Sequence, residues 1–175
     1  RWHLSSSADL NQKASKICRN AGLTPFASNS SESSYFIQTY EKRAINSTNF
    51  IEFESGDWIA AAGTIVSDGK LGHDALIDLY EAVTGQGVKE GRKNVIGHYA
   101  AVVKQEDTIY LFTDPQGAFQ LYYTNSSPWL LSNSLHLMGE CLGPVTTPFG
   151  VIESALESET TGEKTFFNDI RRLFG

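Results

Sequence analysis

The 175-residue sequence has little that would fix a function by itself. It has only two cysteines, Cys18 and Cys141, and their separation matches no metal-binding or redox spacing. The four histidines show neither H-x-x-H nor H-E-x-x-H spacing, so no zinc site is indicated. P-loop, G-x-S-x-G and G-x-G-x-x-G motifs are also missing, which leaves the common nucleotide-binding and serine-hydrolase patterns without support.

Basic residues and long apolar runs are scarce as well. The sequence has 14 Lys and Arg against 20 Asp and Glu, a net charge of -6, and no basic patch. We therefore expect neither nucleic acid nor a membrane surface as a partner. The longest apolar runs have the length of a strand, and no cleavable signal precedes residue 1, so we expect a cytoplasmic protein.

What is present is the composition of an ordinary globular domain. Hydrophobic residues make up 41% and charged residues 19%, and residues 1–175 are predicted to form a single unit. Helices are predicted over 10–20, capped by Ser7 or Asp9, and over 74–84, whereas the Ser-rich stretch 28–34 is predicted to be a connecting loop. The predicted strands are RWHLSS, YFIQTY, NFIEFE, WIAAAGTIV, IGHYAAVVK, TIYLFT, FQLYYT and WLLSN, and short helices are predicted at LHLMGECL and VIESALES. Because strands outnumber helices, the fold class is predicted to be α+β.

The stretch TDPQGAFQLYY, residues 113–123, predicts a turn between two strands. Asp114 can cap the bend, Pro115 fixes φ, and Gly117 tolerates a positive φ, which we expect it to adopt. The flanking segments are rich in β-branched and aromatic residues, so the local pattern predicts a β-hairpin.

The same stretch resembles a segment of a known family. DPQGAFQLYY is similar to the Asp-x-x-Gly-x-x-x-Leu-Tyr-Tyr segment of the N-terminal glutamine amidotransferase domain of asparagine synthetases. Gly97-His98-Tyr99-Ala100 resembles the family's Gly-x-Phe/Tyr-Ala strand, DALIDLYEA its Leu-Tyr-Glu helix, and TFFNDIRRL its closing segment. The resemblance implies an Ntn-hydrolase-like fold, a four-layer α-β-β-α sandwich of two mostly antiparallel sheets.

The resemblance also implies that glutamine hydrolysis has been lost. The family uses a cysteine as the first residue of the mature chain, so that its thiolate is the nucleophile and its own amine is the base; Arg1 stands here. An Asn-Gly pair of the family, whose Asn helps to stabilise the oxyanion, corresponds to Ala62 and Gly63. No catalytic residue is therefore expected.

Two further pocket positions follow from the resemblance. The family's Asp that binds the substrate amine falls at Gly72, with Asp74 two residues later. An Arg that grips the substrate carboxylate corresponds to Arg43, although a strand-surface arginine explains that residue equally well. Ala62, Gly63, Asp74 and Arg43 are thus the candidate residues of a vestigial pocket, and no metal ligand is expected among them.

Three functions remain open at this point. In the first, the chain is the inactive N-terminal domain of an ATP-dependent, amide-forming protein akin to β-lactam synthetases and lasso-peptide cyclases. It would serve as a scaffold or dimer surface, with ATP and magnesium bound only by a C-terminal synthetase domain. In the second, it is a free-standing regulatory or binding module that holds a small ligand in the vacant pocket. In the third, it is a hydrolase with an unidentified nucleophile.

The C-terminal strip, residues 165–175, carries more apolar side chains than the tail of a domain normally leaves in water. We expect Phe166, Ile170 and Leu173 to pack on this domain and Phe174 to face a partner or a second copy. The alternative is that the whole strip completes the domain's own core.

Overall fold

The computed structural model describes residues 2–30, 35–41, 48–143 and 169–173. In chain order the elements are β1 (Trp2–Ser5), α1 (Ala8–Asn20), β2 (Pro25–Ser30), β3 (Phe36–Tyr40), β4 (Phe50–Glu52), β5 (Trp58–Ser67), β6 (Lys70–Leu71), α2 (His73–Gln86), α3 (Val88–Gly91), β7 (Val95–Gln105), β8 (Thr108–Thr113), β9 (Leu121–Thr124), β10 (Leu130–Ser132), α4 (Leu135–Leu142) and β11 (Ile170–Leu173). Helices and two separate sheets coexist, so the predicted α+β class is confirmed. None of the helices in the described ranges is both long and apolar enough to cross a membrane.

The chain divides into two compact units, each built around one sheet. The first unit takes Thr39–Phe119, together with the chain's extreme ends, and the second takes His3–Gln38 and Gln120–Phe174. The second unit is therefore discontinuous, because the chain leaves it, builds most of the first unit and then returns.

The sheet of the first unit has the strand order β4-β5-β7-β8, and β6 pairs with β5. All its pairings are antiparallel, and β5 and β7 form the longest ladder, from Trp58 opposite Lys104 to Ser67 opposite Val95. The run from Trp58 to Ala62 is buried on both sides of the strand, which explains why it is continuously apolar.

Helix α2 packs on one face of this sheet. Its buried residues Leu76, Leu79 and Val83 recur at helical spacing and join the strand residues of a single core cluster. Ile77 and Tyr80 of the same helix are only half buried. The helix ends at Gly87, whose N–H donates to the carbonyl of Val83.

The sheet of the second unit has the order β11-β9-β10-β1-β3-β2. Strands β1 and β10, β10 and β9, and β9 and β11 pair antiparallel. Helix α1 begins after Ser7, whose hydroxyl accepts a hydrogen bond from the N–H of Leu10, so of the two predicted caps Ser7 is the one used. Helices α1 and α4 pack against each other, and α4 also contacts β9 and β10.

The predicted hairpin around residues 114–117 is wrong, although its turn is correct. Strand β8 pairs with β7 in the first unit, and β9 pairs with β10 and β11 in the second. The turn residues do form a bend, with Gly117 at a φ of 64° as predicted and its N–H bonded to the Asp114 carbonyl. Local sequence fixed the bend, but each strand found its partners elsewhere in the chain.

The loop predicted over residues 28–34 is also wrong in part, because β2 extends through Ser30. This strand lies at the edge of its sheet beside β3. At an edge, polar side chains can stay in contact with water, so a polar sequence can still form a strand. The Gln38 side chain further ties it down by donating to the carbonyl of Ala27, 2.9 Å away. Residues 31–34 lie outside the described residues.

The C-terminal strip contributes β11. Ile170 is fully buried, whereas Leu173 is half buried and lies opposite Leu121 of β9. The expected packing of Ile170 on this chain is thus confirmed. Phe166, Phe174 and the helix predicted at VIESALES lie outside the described residues.

Candidate functional site

Ala62 and Gly63, two of the sequence-predicted pocket residues, lie side by side on β5. Ala62 pairs with Ala100 and Gly63 with Tyr99 of β7. Ala62 is 2% exposed, and its methyl group can neither donate nor accept a hydrogen bond. At this position the strand therefore offers only backbone groups to a ligand.

Gly63 occupies a position that only glycine fits. Its φ is 91°, and a Cβ placed there would lie 2.0 Å from the His98 carbonyl oxygen and 2.8 Å from the Phe119 ring. Gly97 on the facing strand is equally confined, since its Cβ would lie 2.1 Å from the carbonyl oxygen of Thr64. The two glycines flank the Thr64–His98 pair, so at this point of the ladder a side chain on either glycine would meet the backbone of the facing strand.

Phe119 lies against both Gly63 and His98. The ring centroids of Phe119 and His98 are 5.2 Å apart, and their planes meet at 68°, an edge-to-face contact. Phe119 directly follows the turn at residues 114–117, so the turn determines where this ring lies.

Asp114 fixes that turn. Its buried carboxylate accepts hydrogen bonds from the N–H of Phe119 at 2.8 Å and of Ala118 at 3.1 Å, while its own N–H donates to the Tyr99 carbonyl. Burial opposes ionisation of Asp114, but the Phe119 and Ala118 N–H groups, with the nearby His98, outweigh it and hold the pKa below its ordinary value. The role of this aspartate is thus to anchor the loop that carries Phe119.

Thr64 and His98 are exposed and directly opposite each other on one face of the sheet. An imidazole can activate a neighbouring hydroxyl as a nucleophile by accepting its proton. This activation requires a hydrogen bond between the two groups. Within the described parts of the chain no hydrogen bond joins the Thr64 side chain to the His98 side chain. The pair therefore lacks the contact that would activate the hydroxyl.

Tyr99 carries its hydroxyl into the core of the first unit. The residue is fully buried, and among the described residues its hydroxyl has no hydrogen-bond partner. Burial raises its pKa to about 12, with Arg92 acting in the opposite direction. Arg92 itself donates to the Thr113 carbonyl at 3.1 Å. Tyr99 is thus kept neutral and serves as a packing residue.

Asp74 is not placed with Ala62 and Gly63 on β5. It lies in the first turn of α2, its side chain is 73% exposed, and its carboxylate is 3.4 Å from the His73 ring. Its position suits the positive end of the helix dipole and needs no ligand to explain it. The fourth candidate, Arg43, lies outside the described residues.

The two cysteines are on packed helices and are not nucleophile candidates. Cys18 of α1 and Cys141 of α4 are each 3% exposed. Burial raises the pKa of the Cys141 thiol to about 11, and the nearby Lys13 only partly offsets this. A buried, protonated thiol attacks an amide poorly, because the thiolate is the reactive form.

The buried Asp57 has a structural explanation. The Asp57 carboxylate accepts hydrogen bonds from the Tyr80 hydroxyl at 2.9 Å and the Glu106 N–H at 2.8 Å, which link two turns of the sheet to α2.

An open groove of about 710 Å³ runs along the solvent side of α1; it is lined by Asp9, Gln12, Lys13, Lys16, Arg19 and Asn20. In the described ranges, no three or more His, Cys, Asp or Glu side chains come together as a metal site would require.

The sequence predicts Ala62 and Gly63 as pocket positions but does not point to Phe119 or His98, which lie beside them. In the sequence, His98 is the variable position of a motif and Phe119 is part of a predicted strand, so neither stands out. No periodic pattern links residues 63, 98 and 119, because the Asp114 loop brings them together in three dimensions. Comparison of the chain with protein-family models and with curated proteins finds no match in either.

Proposed function

We propose that this chain is a glutamine amidotransferase-like domain of the asparagine synthetase type that no longer hydrolyses glutamine. Its finer fold would be the Ntn-hydrolase sandwich of that family, which the α+β class and the two sheets with packed helices support. Its parent protein would be an ATP-dependent amide-forming ligase, in which this domain acts as scaffold or dimerisation surface.

The observation that carries the proposal is the environment of Ala62 and Gly63. In the family that the sequence resembles, an Asn amide at the first of these positions helps to stabilise the oxyanion. Here the side chain is a buried methyl group, and the Phe119 ring crowds the Gly63 backbone. Loss of a single oxyanion donor costs about 10²–10³ in rate.

The thiols lend further support. Cys18 and Cys141 are buried within helices, and the raised pKa of Cys141 keeps that thiol protonated at neutral pH. Neither cysteine lies on β5 or β7 beside Ala62 and Gly63. A relocated thiol nucleophile therefore has no support among the described residues.

An ammonia-release assay with glutamine tests the proposal. We expect no turnover above that of the heat-denatured protein, at any pH from 6 to 9. The matched control is the Cys18→Ala, Cys141→Ala double variant, which should give the same blank rate. Turnover in the parent that survives in the double variant would show a nucleophile other than these thiols and would overturn the proposal. Turnover that is lost in a Cys18→Ala single variant would also contradict the proposal and would identify a relocated thiol.

Partner binding tests the scaffold role. The partner would be a C-terminal synthetase domain that holds ATP and magnesium, or a second copy of this chain. We expect a separately produced synthetase domain from the same gene to co-elute with this domain, or the domain to sediment as a dimer. A domain that stays monomeric and binds no synthetase domain would contradict the scaffold role.

The alternative, a small-ligand module that uses the vacant pocket, meets an obstacle at Phe119. Its ring lies where a ligand would have to approach Gly63. Equilibrium dialysis with radiolabelled glutamine should show no binding to the parent. Binding to the parent that rises in Phe119→Ala would favour the ligand-binding function.

A further inference from the structure

The two cysteines of this chain are far apart in the sequence but lie on two helices of the same unit. Cys18 lies in the last turn of α1 and belongs to that helix's buried residues, and Cys141 is the penultimate residue of α4 and belongs to the buried residues there. The two helices pack against each other. Both thiols therefore face the interior of the same unit.

Two contacts support this placement. The Lys13 ammonium donates to the Cys141 carbonyl oxygen at 2.5 Å, which fixes the end of α4 against the middle of α1. Cys18 is also among the groups that, after burial, raise the pKa of the Cys141 thiol, as expected for a neighbouring residue. Both residues are thiols in this structure.

We propose that Cys18 and Cys141 form a disulfide that links α1 to α4 when the chain equilibrates with a small disulfide such as oxidised glutathione. One protein thiolate attacks the glutathione disulfide, releasing one glutathione thiolate and leaving a mixed disulfide. The second protein thiolate then displaces the other glutathione. One S–S bond is exchanged for another, and the two protons and two electrons of the protein thiols end on two glutathione molecules.

Burial affects how fast this reaction runs more than where it ends. A thiol kept protonated and out of water exchanges slowly at neutral pH, because the thiolate is the attacking species. At a given ratio of reduced to oxidised glutathione, the equilibrium amount of disulfide reports how well the fold holds the two thiols in bonding geometry and how strained the bond is. An equilibrium measurement therefore tests the proposal where a rate would not.

The experiment compares the effective concentration of the two thiols in the native protein and in 6 M urea. The protein is incubated at pH 8.5 with a series of reduced and oxidised glutathione ratios, quenched with acid and weighed by mass spectrometry. Equilibrium is approached from reduced protein and from protein oxidised in urea and then refolded. We expect a loss of about 2 Da and an effective concentration at least about 100-fold higher in the native protein than in urea.

Single variants and a melting curve complete the test. Cys18→Ser and Cys141→Ser should gain only a glutathione adduct, and the oxidised parent should melt about 5 °C or more above the reduced protein, because the bond closes a long loop. A native effective concentration equal to or below that in urea would show that the fold holds the thiols apart. That result, or glutathione adducts on both cysteines in place of the protein disulfide, would overturn the proposal.

Discussion

Gly117 and His3 show how far a single residue's local setting determines its contribution to stability. Gly117 has a φ of 64° and nothing within 4 Å of a Cβ placed on it, so only its backbone conformation matters. His3 is fully buried in β1, where its Nε2 is 2.9 Å from the Asn11 Oδ1. At Gly117 the backbone φ alone limits which residues are tolerated, whereas at His3 burial away from water determines the effect on stability.

We expect Gly117→Val to lower the free energy of unfolding by about 1–2 kcal/mol, because a β-branched residue is strained at positive φ. Gly117→Asn is the matched control and should lose much less, since Asn tolerates the left-handed region. Urea melts measure both. A Val variant as stable as the parent would show that the turn relaxes into another conformation.

The stability of the protein should depend on His3 below neutral pH. Burial, only partly offset by Asn11, lowers its pKa from 6.5 to about 4. Between these pH values the unfolded chain binds a proton on His3 and the folded chain does not. The stability that neutral, buried His3 permits is therefore fully present above pH 6.5 and is lost as the pH falls towards 4. The loss amounts to about 3 kcal/mol at pH 4.

The variant His3→Gln isolates this effect, because Gln can still meet Asn11 and does not titrate. Urea melts at pH 7 and pH 4 should show that the parent loses about 3 kcal/mol more than the variant over this range. Equal losses in the two proteins would show that His3 is protonated in the folded state.

At the scale of elements, the confined position of Gly63 in the β5–β7 ladder makes a sharper prediction. We expect Gly63→Ala to destabilise the protein by about 3 kcal/mol or more, because the new methyl group would meet the His98 carbonyl. Gly69→Ala is the control: its φ of 75° is similar but its surroundings are open, so it should cost only about 1 kcal/mol. Thermal melts of both variants measure the difference.

The double variant Gly63→Ala, Phe119→Ala separates the two obstacles at this position. Removing the ring leaves the His98 carbonyl in place, so stability should not return. Recovery in the double variant would mean that Phe119, and not the strand pairing, confines Gly63.

The sequence predicted elements best where one simple pattern dominates, either a long apolar run or a single helical period. The apolar run at 58–66 and the helical spacing of Leu76, Leu79 and Val83 gave β5 and α2. It failed at β2, where an edge strand is polar, and at the link between β8 and β9, where a correct turn joins strands of different sheets. Strand pairing is a long-range property that local patterns do not contain.

The residues of the candidate site also differ in whether the sequence can predict them. The resemblance to a known family predicts Ala62 and Gly63, and these two lie together in the structure because they are adjacent in the sequence. Phe119 and His98 did not follow, since their contact depends on hydrogen bonds that the Asp114 carboxylate makes with two backbone N–H groups. Burial of Asp114 and the identity of its partners cannot be deduced from the sequence of the turn.

At the scale of the whole molecule, β11 shows how a segment remote in sequence completes a sheet. We expect a chain truncated after Glu163 to melt at a lower temperature than the full chain, because β9 loses a strand partner and the fully buried Ile170 is removed. Ile170→Ala in the full chain is the control and should cost about 2–5 kcal/mol on its own. A truncated chain that melts with the parent would show that β11 adds nothing to the sheet.

The discontinuous path of the second unit has a consequence for the order of events on the ribosome. Residues 39–119 supply most of the first unit as one uninterrupted stretch, so this part can fold as soon as the stretch emerges. Strand β1 is made early, yet its neighbour β10 is made after the whole first unit, since Leu4 pairs with Leu131. At the usual rate of synthesis this leaves one edge of β1 waiting on the order of 10 s. Strand β1, made before the other described strands, is therefore among the last of them to be fully paired, and during that interval it is exposed to misassociation and to chaperones.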